Sequence, residues 1–305
     1  MKLHHVLESQ QFTVPLLMEL FDRTRVMEKI VARGGTRDWE NKVMTTLFYK
    51  PSTRTRMSFE SAMYRLGGKV LATEQAQEFS SEVEGEQLED TIRIVADYCD
   101  LIVLRHHEAG GARRAAAVSG VPVFNAGDGA GGQHPTQALL DLYTIYNECK
   151  KLDGLSVALI GALDQGRTAR SLAYLLGKFD RTKLYFIAPP EMQVKQDILE
   201  HLEQHNVVYE LASSTDKIIE NVDVVYQTRI DRARLHGSEI DLTSYNIDKT
   251  VLRRLRSNAI IMHPLPRSVE IASDVDGDPR AAYFRQTRNG LFVRMALLTM
   301  VFEKE

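Results

Sequence analysis

Cysteine is nearly missing from this chain. Cys99 and Cys149 are the only two, too few and too distant in sequence for a disulfide framework or a metal-ligand cluster. Long basic runs are missing as well, and a net charge of −3 excludes a general nucleic-acid binder. The longest mostly apolar stretches, such as LSVALIGAL, are too short to span a bilayer. The opening MKLHHVLESQQFTVPLLMELF breaks its apolar residues with charged and polar ones, so it does not read as a signal peptide. Internal repeats and low-complexity tracts are absent too. These gaps leave a cytoplasmic globular protein with no membrane and no nucleic-acid partner. Its 44% hydrophobic and 26% charged content is ordinary for a soluble enzyme. At 305 residues it exceeds the usual size of one core, so two domains are expected.

What is present is an alternation. VMTTLFY, KVLAT, DLIVLRH and VPVFNAG read as strands in the first half. Leu155–Ile160, KLYFIAP, VVYEL, VDVVYQTR and AIIMHPL do so in the second. Between them, TQALLDLYTIYNECKKL and EMQVKQDILEHLEQH carry helical periodicity. This is the pattern of an α/β protein with parallel sheets flanked by helices. The glycine-rich AGDGAGGQHP, Ala126 to Pro135, precedes a long helix and marks the expected domain boundary. A second crossing near Arg285–Asn289 returns the last helix, GLFVRMALLTMVFEK, to the first domain. The expected domains are therefore 1–134 plus 287–305, and 135–286, linked by crossing helices.

Ligands of open α/β sheets gather at the carboxyl ends of strands, and four polar clusters follow predicted strands. In FYKPSTRTRMSF, Ser52, Thr53, Arg54 and Thr55 stand where a strand turns into a helix that Gly67 and Gly68 stop. Such a turn offers free backbone N–H groups and the positive end of a dipole. Hydroxyls and a guanidinium add donors shaped for phosphate oxygens. Taken alone, the same residues are equally a Ser cap with surface arginines. Arg105 closes the strand LIVLR, His134-Pro135-Thr136-Gln137 enters a helix, and MHPLPR places two prolines after a strand. Singly these read as a surface ion pair, a helix cap and a rigid loop. GALDQGRT, Gly161 to Thr168, matches a phosphate-loop template except that Arg167 replaces the lysine. No acidic strand end partners it, which weighs against a nucleotide triphosphatase.

PSTRTR, the DT of EGEQLEDT, RH before a Gly-Ala turn, NAGDG…HPTQALLDL, GRT, TR and HPLPR occur in one order along nearly the whole chain. Jointly they resemble the aspartate/ornithine carbamoyltransferase family. HPTQALLDLYTI and MHPLPR resemble its aspartate branch, and the HCLP-type motif of the ornithine branch is absent. The resemblance implies a carbamoyl phosphate-binding first domain, an acceptor-binding second domain and a homotrimer with shared active sites. It implies no cofactor and no metal. By the same resemblance Ser52, Thr53, Arg54 and Thr55 hold the phosphate, and Arg105 bridges phosphate and carbonyl. His134 donates to the carbonyl oxygen. Gln137 and the carbonyls of Pro264 and Leu265 orient the carbamoyl amide. Arg167 and Arg229 are the acceptor's carboxylate clamps. The aspartate branch often assembles with a separate regulatory chain; nothing in the sequence shows a regulatory domain or speaks against such a partner.

The acceptor half departs from that pattern. In SSEVEGE, Ser80 to Glu86, Glu84 stands where the family carries a lysine. Lys50 replaces a usual glutamate, Ala162 a usual aspartate, and Asp231 a usual glutamine. A unit charge pair about 4 Å apart is worth roughly 4 kcal/mol at an effective dielectric of about 20. Reversing the charge at residue 84 should therefore penalise a dianionic acceptor. The expectation drawn from the sequence is an altered acceptor, a short diamino acid or another partly cationic amine, met by Ser80, Glu84 and Asp231. Two alternatives stand beside it. One is an ordinary aspartate enzyme of pyrimidine biosynthesis in which Lys50 and Glu84 have exchanged places. The other is a weakly active or non-catalytic paralogue.

Overall fold

The computed structural model describes residues 3–74, 85–230 and 242–303. The chain forms two compact units, Met1–Leu140 with Arg288–Glu305, and Asp141–Thr287.

Among the described residues, the first unit holds a sheet of β1 (Val43–Phe48), β2 (Lys69–Glu74), β3 (Leu101–Arg105) and β4 (Val123–Asn125). Its order is β2-β1-β3-β4, and every pairing is parallel. β1 is central and all but its first residue are buried, Thr45 and Thr46 included, so it lacks the apolar–polar alternation of a strand with one face in water. Helix α1 (Val14–Ala32) starts at Thr13, whose hydroxyl accepts from the Leu16 N–H, and buries Leu17, Leu20, Phe21, Thr24 and Met27. That three-and-four spacing is one face of a helix. α2 (Thr53–Arg65) buries Thr55, Phe59, Ala62 and Met63. It ends where Gly67 takes φ +91°, and a Cβ there would lie 2.6 Å from Arg37 Cα. α3 (Leu88–Ala96) and α4 (Gly111–Val118) complete the connections.

In the second unit, β5 (Ser156–Ile160), β6 (Lys183–Ile187), β7 (Val208–Ala212), β8 (Val224–Gln227) and β9 (Ile260–Met262) form a sheet of order β7-β6-β5-β8-β9. All its pairings are parallel as well. α6 (Arg167–Leu176), α7 (Gln196–Gln204) and α8 (Lys249–Arg254) follow its strands.

The two remaining helices belong to both units. α5 (Pro135–Cys149) starts in the first and ends in the second, while α9 (Tyr283–Phe302) runs from the second to the first. The units thus part at Leu140/Asp141, inside α5, rather than at residues 126–135. The glycine-rich segment folds onto the first unit: the Asp128 carboxylate accepts from the Gly110 and Ala112 N–H groups. α9 begins seven residues before the expected Gly290 because its polar first turns also find partners, such as the buried Gln286. Its second half buries Phe292, Val293 and residues 295–298, while Phe302 meets Trp39 at 5.3 Å between rings.

Candidate active site

In the first unit the chain builds β2 on one side of β1 and β3 on the other. The carboxyl ends of β1 and β3 therefore flank the point where the winding reverses, the place where open parallel sheets bind ligands. Phe48 and Arg105 are register partners there, and the Tyr49 N–H donates to the Arg105 carbonyl at 2.9 Å. Four residues on, Ser52 caps α2 in extended backbone, and its side chain makes no capping bond to the helix. The first-turn N–H groups of α2 thus stand at this end of the sheet, with Ser52 beside them, a ready anion site. Thr53 and Arg54 are exposed and Thr55 is buried. Partial desolvation pulls the Arg54 pKa below its ordinary value, yet a guanidinium remains cationic at neutral pH.

The other donors reach the same edge. Arg105 ends β3, and its guanidinium donates to the Ala126 carbonyl at 3.4 Å. His134, 4% exposed, places Nε2 3.5 Å from Thr55 Oγ1 and Nδ1 3.5 Å from Thr136 Oγ1. A hydroxyl on each side lets the ring keep Nε2–H as a donor while Nδ1 accepts from Thr136. Gln137 follows in the first turn of α5 and is half-buried. The structure thus brings together Ser52, Thr55, Arg105 and His134, with Thr53, Arg54 and Gln137 in the same turns.

The second unit repeats the logic with β5 and β8 at its reversal. Arg167 opens α6 after the β5 loop, and Arg229 stands two residues beyond β8. The two segments are joined: the Ala162 N–H donates to the Arg229 carbonyl at 3.2 Å, and the Thr228 N–H donates to Ile160 at 2.7 Å. Gly161 makes this approach possible at φ +131°, since a Cβ there would lie 2.2 Å from Thr228 Oγ1. Arg229, Asn246, Ser268 and Glu270, with Ile230 and Leu242, line a cavity of about 340 Å³.

The HPLPR loop follows β9. Leu265 holds φ +51°, an uncommon conformation for a bulky residue. Arg267 pairs with Asp276 and donates to the Tyr283 hydroxyl at 3.0 Å. The residues behind this loop are not singled out by the sequence reading above. Glu270 contacts His263 Nε2 at 2.9 Å. The His263 N–H donates to Gln286 Oε1 at 2.9 Å, and the Gln286 amide donates to Asp141 at 2.6 Å. Tyr226 donates to the same carboxylate at 2.6 Å. Asp141 lies within HPTQALLDL, but nothing in that motif links it to Glu270, Gln286 or Tyr226, each a single polar residue elsewhere in the chain.

Ser80, Glu84 and Asp231 lie outside the described residues. Lys50 is exposed and Ala162 buried. Among the described residues, one cluster has metal-ligand character: His106, His107 and Glu108, with ligand atoms within 4.8 Å of one another. Two of the three have other partners. His106 Nδ1 accepts from the Glu108 N–H at 3.2 Å, and the Glu108 carboxylate pairs with Arg114 at 2.8 Å. Among the described residues, no helix is long and apolar enough to cross a membrane.

Comparison with known proteins adds the following. The model of the aspartate/ornithine carbamoyltransferase carbamoyl-P binding domain matches residues 4–147, and that of the Asp/Orn binding domain matches residues 153–301. A chloroplastic aspartate carbamoyltransferase of Arabidopsis thaliana is 55% identical over 98% of this chain and 78% of its own length. The aspartate carbamoyltransferase catalytic subunit of Methanopyrus kandleri is 46% identical over 97% of this chain and 96% of its own. The aspartate transcarbamoylase of Trypanosoma cruzi, solved with carbamoyl phosphate and aspartate, superposes with a TM-score of 0.93. It shares 38% identity and covers 98% of this chain and 96% of its own.

Proposed function

Because this chain belongs to the aspartate/ornithine carbamoyltransferase family and is a carbamoyltransferase, we propose that it carbamoylates the α-amine of aspartate. The observation that carries this reading is the joining of the Arg167 and Arg229 segments at the reversal point of the second sheet. Two guanidiniums on one braced edge suit the two carboxylates of a dicarboxylic amino acid.

In this reading the phosphate lies against Ser52, Thr53, Arg54 and Thr55, and Arg105 reaches both phosphate and carbonyl. The amine attacks the carbamoyl carbon, a C–N bond forms, and negative charge grows on the carbonyl oxygen. His134 Nε2–H and Arg105 stabilise that charge. The C–O bond to phosphate then breaks, and the amine's proton leaves with the departing group. Gln137 and the Pro264 and Leu265 carbonyls fix the carbamoyl NH2. Fixed donors aimed at developing charge account for catalysis with no covalent intermediate.

The diamino-acid acceptor expected from Glu84 and Asp231 gives way here. Relatives sharing 55% and 46% of their residues with this chain are named for aspartate. The alternative in which Lys50 and Glu84 have exchanged places fits better. Lys50, exposed just before the phosphate turn, supplies the cation that Glu84 removes, so the pair is read as exchanged rather than lost. The trimer with shared sites belongs to the same proposal, as does a reducing compartment such as the cytosol, in keeping with the free thiols of Cys99 and Cys149.

The test is phosphate release from carbamoyl phosphate with aspartate, ornithine and 2,3-diaminopropionate as acceptors. Aspartate is expected to be fastest. Faster turnover of diaminopropionate would overturn the assignment.

A further inference from the structure

His263 sits in the HPLPR motif beside the loop that carries the Pro264 and Leu265 carbonyls, and the function above gives its ring no task. The ring is enclosed, with 1% of the side chain exposed, and Glu270 beside it has 7%. Both ring nitrogens are engaged inside the same loop. The Leu265 N–H donates to Nδ1 at 2.8 Å. A backbone N–H can only donate, so Nδ1 holds the lone pair and Nε2 carries the hydrogen. That hydrogen points to Glu270 Oε1 at 2.9 Å, and Glu270 Oε2 accepts from the Ser268 N–H at 3.0 Å.

We propose that His263 and Glu270 are positioning residues, with Glu270 fixing the His263 tautomer so that Nδ1 clasps the Leu265 amide and holds its carbonyl and that of Pro264 toward the carbamoyl NH2. The chain of contacts spans the whole turn from residue 263 to 270, and each link is a directed hydrogen bond. It opposes the cost of Leu265 at φ +51°, a conformation that persists when its surroundings over-determine it. His263 Nδ1 also lacks a spare lone pair, so the ring is unsuited to take a proton from the attacking amine. Burial raises the Glu270 pKa, but the His263 hydrogen bond and backbone N–H groups outweigh it and leave the carboxyl below its ordinary value. The ionised carboxyl accepts at both oxygens, from His263 Nε2–H and from the Ser268 N–H.

The inference rests on the reading that the Pro264 and Leu265 carbonyls bind the carbamoyl NH2, and the experiment separates the two. Binding of phosphonoacetamide, which carries the NH2, is compared with that of acetyl phosphate, which carries a methyl group there, and with inorganic phosphate. The variants are His263→Asn, which places an oxygen where Nδ1 stood, and His263→Gln, which places an amide where Nε2 stood. Wild type is expected to prefer phosphonoacetamide. His263→Asn should keep most of that preference and His263→Gln lose about tenfold of it, the value of one hydrogen bond to a fixed acceptor. Phosphate affinity should hold in both. Glu270→Gln, which keeps an acceptor for Nε2–H, should rescue what Glu270→Ala loses, so the idea stays testable if one His263 variant fails to fold. A preference unchanged in His263→Gln, or lost in parallel with phosphate affinity, would overturn the positioning role alone. A wild type with no preference would overturn the carbonyl reading and the inference with it.

Discussion

At the scale of single residues, charge decides most of what this site can do. Arg54 stands in the first turn of α2, where dipole and free N–H groups already favour an anion. Removing one charged donor costs about 1.5–3 kcal/mol. Arg54→Ala should therefore weaken carbamoyl phosphate binding by about tenfold or more, read by calorimetry, while the melting temperature stays near that of the wild type. The Lys50 and Glu84 exchange makes a different forecast. Glu84→Lys alone should lower kcat/KM for aspartate, because it sets two lysines against each other. Lys50→Glu together with Glu84→Lys should restore it, and a double variant no better than the single would refute the exchange. His106 makes a pH forecast. Burial, with His107 and Arg114 adding to it and Glu108 opposing, pulls its pKa from 6.5 to about 4. Between those values the unfolded chain binds the proton and the folded chain does not, so stability falls as pH drops from about 6.5 toward 4. The loss should be on the order of 2 kcal/mol. A thermal-unfolding series across that range should show it, and His106→Asn should flatten the slope.

At the scale of elements, the site depends on how closely β5 and β8 deliver their loops. Gly161→Ala would push a Cβ against Thr228 Oγ1 at 2.2 Å and the Thr228 carbonyl at 2.6 Å, in a backbone at φ +131°. The expected cost is about 1–3 kcal/mol of stability in chemical denaturation, with the KM for aspartate rising more than that for carbamoyl phosphate. These strands were legible in the sequence because a parallel strand buried on both faces is mostly apolar and lacks alternation, as VMTTLF and SVALI are, with only threonines and one serine as polar residues among them. The phosphate turn was legible for a related reason: its hydroxyls and guanidinium are consecutive in the chain. The clasp behind HPLPR was not, since Glu270, Gln286, Asp141 and Tyr226 come from separate elements and meet only in the fold. The early turns of α9 were missed because residues 284–289 are mostly polar. The acceptor was not legible because a charge reversal has meaning only beside its partner, and the sequence does not say which partner that is.

At the scale of the whole molecule, the first unit leaves several large apolar side chains exposed. Met57 and Tyr64 on α2 and Leu71 on the edge strand β2 are 57%, 62% and 47% exposed, more than an isolated surface strand and helix comfortably hold. In the trimer reading another copy covers them. Sedimentation should give a mass near three times the 34.5 kDa chain, and Tyr64→Asp with Leu71→Asp should yield smaller species with lost activity. A monomer of full activity would contradict the shared site.

The two shared helices carry a consequence for how the molecule comes into being. Residues 141–287 are continuous, whereas the first unit draws on residues 288–305, which bury Phe292, Val293 and Leu297 within it. Domains fold as units while the ribosome is still adding residues. Here the usual order inverts: the second unit has all its sequence in hand first, and the first unit waits with an unfilled core until its closing helix has left the exit tunnel. Chains ending at residue 287 and released from the ribosome should therefore resist protease across 141–287 while 14–125 stays open to cleavage, and chains that include residues 288–305 should close it.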